Sequence, residues 1–106
     1  MIYHLAESAD WAARTDSVYR APSLLTEQFI HCATREQLPG VADRYYAGRT
    51  DLILLAIDPS RLTSPLVYEN STGGDELFPH LYGPIPLVAI VSARPFVRES
   101  FNGDTV

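Results

Sequence analysis

The sequence predicts an α+β fold in one domain spanning residues 1–106, and three observations carry that expectation. Short strand-like segments are interleaved with only two helical segments, in the order β-α-β-α-β-β-loop-β. A chain of 106 residues is the size of one ordinary domain, and buries roughly two-thirds of the surface that its unfolded form exposes. Apolar residues make up 46% and charged residues 20%, a balance that builds a core rather than a disordered chain. No internal repeat or low-complexity tract runs through it.

The elements follow in order. Met1–Ala6 (MIYHLA) reads as a short strand, with Ile2, His4 and Ala6 on one face and Tyr3 and Leu5 on the other. Ser8 has the chemistry of an N-cap for a short helix through Ala13, with Asp10 in its first turn. Thr15–Gln28, polar and broken by Pro22, reads as irregular. Phe29–Ala33 (FIHCA) is a second, buried strand. Thr34 and Gln37 have capping-box spacing, and Pro39 suits the first turn of a helix starting at Leu38. Leu38, Val41, Ala42, Tyr45 and Tyr46 then repeat at helical spacing up to a stop at Gly48, the best-defined helix in the chain. Leu52–Asp58, apolar up to Ile57 and ended by Pro59, predicts a strand buried on both faces. Leu66–Glu69 is a short edge-like strand, and Ser71–Asp75 (STGGD) a loop. Glu76–Pro86 is too rich in proline for a helix. Leu87–Ala93 is the last strand, and residues 96–106 are expected to form a loose tail.

Composition excludes several function classes. The longest apolar run, Leu52–Ile57, is far short of the ~20 residues of a membrane span, and no basic, apolar leader opens the chain. Cys32 is the only cysteine, so no internal disulfide forms and a cytoplasmic location is expected. All 8 basic residues are arginine, and 13 carboxylates bring the net charge to −5. Long nucleic acid would require a basic stripe, and none exists. A small anionic ligand stays open, with Arg20 and Arg49 as candidate phosphate contacts. Without lysine there is no Schiff-base chemistry.

The candidates for chemistry are the three histidines, His4, His31 and His80, each in an apolar or aromatic setting. A buried imidazole needs a partner for each nitrogen, and the plain reading of any one of them is a satisfied core histidine. All three in such settings favour a shared cleft. They could also serve as zinc ligands, but no HxH or HExxH pair holds two on one element, so no structural metal is expected. Cys32 in a buried strand reads as inert packing. Glu69 and Glu76 flank the glycine loop, and Glu76 is the better placed for acid–base work, four residues before His80. Tyr82 precedes the rigid Gly83-Pro84 turn, which would present its ring at a surface. No GxGxxG or Walker sequence is present.

The segments IYHLA, SLLTEQFIHCAT, GVADRYYAGRTDLILLAID and GGDELFPHLYGPIPLVAI resemble the bacterial family called domain of unknown function 952, over roughly Ile2 to Pro95. That resemblance implies an ADP-ribosyltransferase-like fold, a split β-core with two short helices that grips NAD between small sheets. Within that superfamily, Tyr3-His4 and Phe29-Ile30-His31-Cys32 look like the two histidine strands of the RNA 2′-phosphotransferases. The resemblance implies that His4 and His31 bind the dinucleotide, and that a glutamate, here Glu76, supports cleavage at the nicotinamide ribose. It therefore implies an NAD-using transferase, with Glu76 and His80 as catalytic residues and His4, His31 and Tyr82 in cofactor binding, Tyr82 at the cleft wall. Two other classes remain: a non-catalytic nucleotide- or phosphate-binding module, and a metal-dependent hydrolase using the three histidines. The expected partner is a small nucleotide-like ligand rather than long nucleic acid or a membrane.

Overall fold

A computed structural model describes residues 1–70 and 73–98 of the chain. Ser71 and Thr72 of the expected glycine loop, and residues 99–106 of the expected tail, lie outside the described residues. The fold is α+β, with antiparallel strands and, among the described residues, three short α-helices. Strand β1 (Ile2–Glu7) pairs with β4 (Leu52–Ile57), which pairs with β8 (Ile90–Pro95), in the order β1-β4-β8. A second three-stranded sheet has the order β3-β6-β5, from β3 (Ile30–His31), β5 (Leu66–Glu69) and β6 (Phe78–Leu81). A ribbon joins β2 (Val18–Tyr19) to β7 (Ile85–Pro86). Helices α1 (Ser8–Ala12), α2 (Pro22–Thr26) and α3 (Leu38–Tyr45) fill the connections. Among the described residues no helix is long and apolar enough to cross a membrane.

The continuous apolarity of β4 has a structural cause: the sheet it forms with β1 divides two cores. Ile2, Ala6, Leu55 and Ile57 pack with Tyr19, Ile30, Leu81 and Ile85 on one side. On the other, Leu5 and Leu52 pack with Leu38 and Ala42 of α3 and with Phe96. Strands covered on both faces have no solvent side to mark with polar residues.

Local rules held where partners are close in sequence. Thr34 and Gln37 cap one another, Thr34 N donating to Gln37 Oε1 at 2.9 Å and Gln37 N to Thr34 Oγ1 at 3.3 Å. Helix α3 runs from Leu38 with proline in its first turn, and Gly48 beyond it takes φ +78°. Tertiary contacts changed other expectations. Ser8 does not cap α1, because Glu7 occupies that position and Ser8 donates both its amide and its hydroxyl to Asp51 O. Thr15–Gln28 is not irregular throughout: it contains β2 and α2, the latter started by Pro22. Leu87–Ala89 is a 3-10 turn rather than strand, since Leu87 N is drawn to Ser17 O and Asp58 N to Ala89 O, and β8 begins only at Ile90. The expected tail starts too early, for Phe96 is buried in the second core and Arg98 pairs with Asp43 at 2.8 Å.

Candidate functional site

Phe29–Ala33 passes from one sheet to the other, and this crossing builds the site. Ile30 and His31 pair with Leu81 and His80 of β6, whereas Ala33 exchanges two 2.8 Å backbone bonds with Tyr3 of β1. Beside the crossing lies a cleft of about 680 Å³, lined from β1, β2, α1, α2, α3 and β6. That volume lies within the range of small-molecule sites.

His4, His31 and His80 all line this cleft, and each commits one ring nitrogen to a protein acceptor. His4 is 7% exposed, and its Nδ1 lies 2.6 Å from His31 O. A carbonyl can only accept, so Nδ1 carries the proton and the neutral ring leaves Nε2 as a bare acceptor. Burial holds His4 well below the ordinary histidine range, at about 4, so the ring is neutral at pH 7. His31 is exposed, and its Nε2 donates to Glu27 Oε2 at 3.1 Å. The two rings of His31 and His80 meet edge to face, with centroids 5.4 Å apart. Tyr19 lines the same cleft 5.7 Å from the His4 ring, is 1% exposed, and has a buried hydroxyl with no hydrogen-bond partner. Burial pushes that hydroxyl above the usual tyrosine range.

His80 is 1% exposed beneath Phe29, whose ring stacks on it at 4.1 Å. Its Nδ1 donates to Glu69 Oε1 at 3.0 Å, and the Tyr82 hydroxyl donates to the same oxygen. These two donors, Tyr82 first, hold the Glu69 carboxyl below its usual range, and Glu69 in turn raises Tyr82. Tyr82 therefore is not among the lining residues of the cleft: its hydroxyl turns to Glu69, and its ring lies against Phe29, 5.4 Å between centroids. Glu76 is exposed and outside the cleft lining. It precedes β6, two residues beyond the sheet's last paired position at Phe78, so no strand aims its side chain inward. The carboxylate on His80 is Glu69, and the carboxylate on His31 is Glu27.

Neither expected phosphate contact is uncommitted. Arg49 donates to both Asp51 oxygens at 2.7 and 2.6 Å and to Glu7 Oε1 at 3.1 Å. Arg20 lies outside the cleft, 3.8 Å from Asp16. Cys32 is 4% exposed and burial pushes its thiol up to about 12, so it is no nucleophile at neutral pH. Among the described residues no group of three or more His, Cys, Asp or Glu side chains is arranged to hold a metal ion. Glu27, Tyr19 and Glu7 are cleft-lining residues that the sequence did not single out. Only the four-residue spacing of Glu27 and His31 was a visible signal, and Phe29 and Gln28 between them gave it no helical context.

A family model described as "Protein of unknown function (DUF952)" matches residues 5–93. The crystal structure of protein CC0527 from Caulobacter crescentus is similar at a TM-score of 0.76 and 31% identity, covering 89% of this chain and 83% of that one. The solution NMR structure of CC0527 gives a TM-score of 0.73 at 31% identity, covering 89% and 82%. A comparison with curated proteins found no match to this chain.

Proposed function

The chain belongs to the DUF952 family, a family of unknown function, and from that premise we propose that its cleft binds a nucleoside-type ligand by base and ribose. One observation carries this reading: the unpartnered buried hydroxyl of Tyr19 and the bare Nε2 of the His4 ring stand in the same lining. A ribose diol donates to the one and accepts from the other, which relieves a buried polar group that otherwise costs about 1–3 kcal/mol. NAD, the dinucleotide expected from the sequence resemblance, carries a ribosylated ring at each end and is the first dinucleotide to try.

Calorimetric titration and thermal shift with nicotinamide riboside, NAD, ADP-ribose and pyrophosphate test it. A ligand at 100 times its dissociation constant adds about 2.7 kcal/mol of stability. Tyr19→Phe should weaken riboside binding about tenfold without destabilising the free protein, because the lost hydroxyl bonds nothing there. No shift with any riboside would sink the reading, and binding of pyrophosphate alone would favour a phosphate module.

A second reading, cleavage of NAD and transfer of its ADP-ribosyl group, is favoured by Glu27, a carboxylate in the cleft lining beside His31. Positive charge builds on the ribose as the bond to nicotinamide breaks, so a carboxylate there acts mainly in the transition state. Glu27→Gln should then lower turnover by roughly 10² with little change in NAD affinity. Loss through Glu76→Gln instead would return that role to the loop before β6.

A further inference from the structure

We infer that Glu69 and His80 form a general base at the cleft, His80 Nε2 drawing a proton from water for attack on an uncharged carboxylic ester, such as that of an O-acylated nucleoside. The sugar of that ester rests on the nucleoside reading above, and the base does not. His80 stands on β6 and Glu69 on β5, with Nδ1 3.0 Å from Glu69 Oε1. The carboxyl is held below its usual range by Tyr82 and His80, so it is ionised and only accepts, and Nδ1 carries the proton. The ring's lone pair then stands on Nε2. No described residue bonds that atom, yet it is not sealed off as the Tyr19 hydroxyl is, so the cleft that His80 lines reaches it. Phe29, stacked at 4.1 Å, fixes the plane of the imidazole.

The other two imidazoles lack this combination. His4 has a bare Nε2, but its Nδ1–H meets a neutral carbonyl, and burial holds the ring at about 4. His31 has a carboxylate, Glu27, but in an exposed pair that water screens. Behind the buried His80 ring, Glu69 stabilises the imidazolium that a proton transfer creates, and the Tyr82 hydroxyl orients Glu69 by donating to the same oxygen. The titratable groups described around His80 are Glu69 from β5 and His31 from β3, 5.4 Å between rings, with Tyr82 and Glu27 behind them. The lining sets the class of electrophile. Arg49 is its only arginine among the described residues, and Asp51 foremost, then Glu7, holds the guanidinium. A phosphoryl group would find no unengaged guanidinium here, and a neutral acyl ester needs none. Water oxygen bonds to the acyl carbon as its proton passes to Nε2. The tetrahedral intermediate then expels the alcohol oxygen, which takes that proton back, leaving acid and alcohol.

The test uses p-nitrophenyl acetate and 5′-O-acetyladenosine as esters with the full chain. Wild type should hydrolyse both, with kcat falling as the pH falls and His80 gains its proton. Glu69→Gln keeps an acceptor for Nδ1–H, and should lower kcat by roughly 10² with KM unchanged. Tyr82→Phe removes the second donor on Glu69 and leaves more of its charge to the imidazolium, so the acid limb of the kcat profile should move to higher pH, a shift that lost packing would not cause. Hydrolysis of the nitrophenyl ester alone, still dependent on Glu69, would support the base and count against the nucleoside reading. No hydrolysis of either ester, or a Glu69→Gln rate equal to wild type, would overturn the inference. Adenosine binding by titration calorimetry would then show the nucleoside reading still standing, and its absence would end both.

Discussion

Acidifying the protein from about pH 7.5 to about pH 4 should remove about 3 kcal/mol of stability through His4 alone. In the unfolded chain the imidazole titrates at its ordinary value of 6.5, and in the fold burial lowers it to about 4. Between those values the unfolded state binds more protons than the native state, so stability falls as the pH falls. The penalty is absent above the unfolded value, reaches about half its size near pH 5.5, and levels off below pH 4. The physical origin is the 7% exposed ring, whose charged form would lose its hydration, even though its Nδ1–H keeps the bond to His31 O. Carboxyls held below their usual range, among them Asp43, Asp51 and Asp58, add acid lability of their own. The informative quantity is therefore a difference. His4→Asn keeps a donor near the Nδ1 position and cannot titrate. Urea unfolding of both proteins across this window should show the wild type losing about 3 kcal/mol more than the variant. Proton NMR of the imidazoles should find His4 still neutral at pH 5.5. A His4 resonance that titrates near its ordinary value, or parallel stability curves for the two proteins, would refute the reasoning.

Two further outcomes follow from close packing and burial. At Gly83 an added Cβ would lie 2.5 Å from Ser64 Cβ, so Gly83→Ala should cost about 1–3 kcal/mol in denaturant unfolding, and Ser64→Gly should recover much of it. Cys32 should resist alkylation at about pH 8 in the native protein and react only as fast as the fold opens, which mass spectrometry of iodoacetamide-treated samples would follow.

Sequence alone determined the parts of this protein that depend on near neighbours. The spacing of Leu38, Val41, Ala42 and Tyr45 defined α3, the Thr34–Gln37 pair capped the turn before it, and the unbroken apolarity of Leu52–Ile57 marked a strand covered on both faces. Such features rest on hydrogen bonds and periodicities within a few residues, which a linear pattern records. Helix α2 was missed because five residues carry too little periodicity, and Leu87–Ala89 left the strand because Ser17, 70 positions earlier, claims the Leu87 amide. The site was legible only as residue types. That His4, His31 and His80 stood in apolar settings was visible, but their acceptors were not. His31 O and Glu69 reach them across strand pairs, and Tyr19 arrives from a two-residue ribbon. Which carboxylate meets which imidazole is decided by sheet register. Glu69 lies opposite Phe78 on β5, with His80 two residues further along β6 on the same face, whereas Glu76 falls beyond the last pair. Register comes from packing the whole sheet against its core, so only the tertiary structure could place the charges of this cleft.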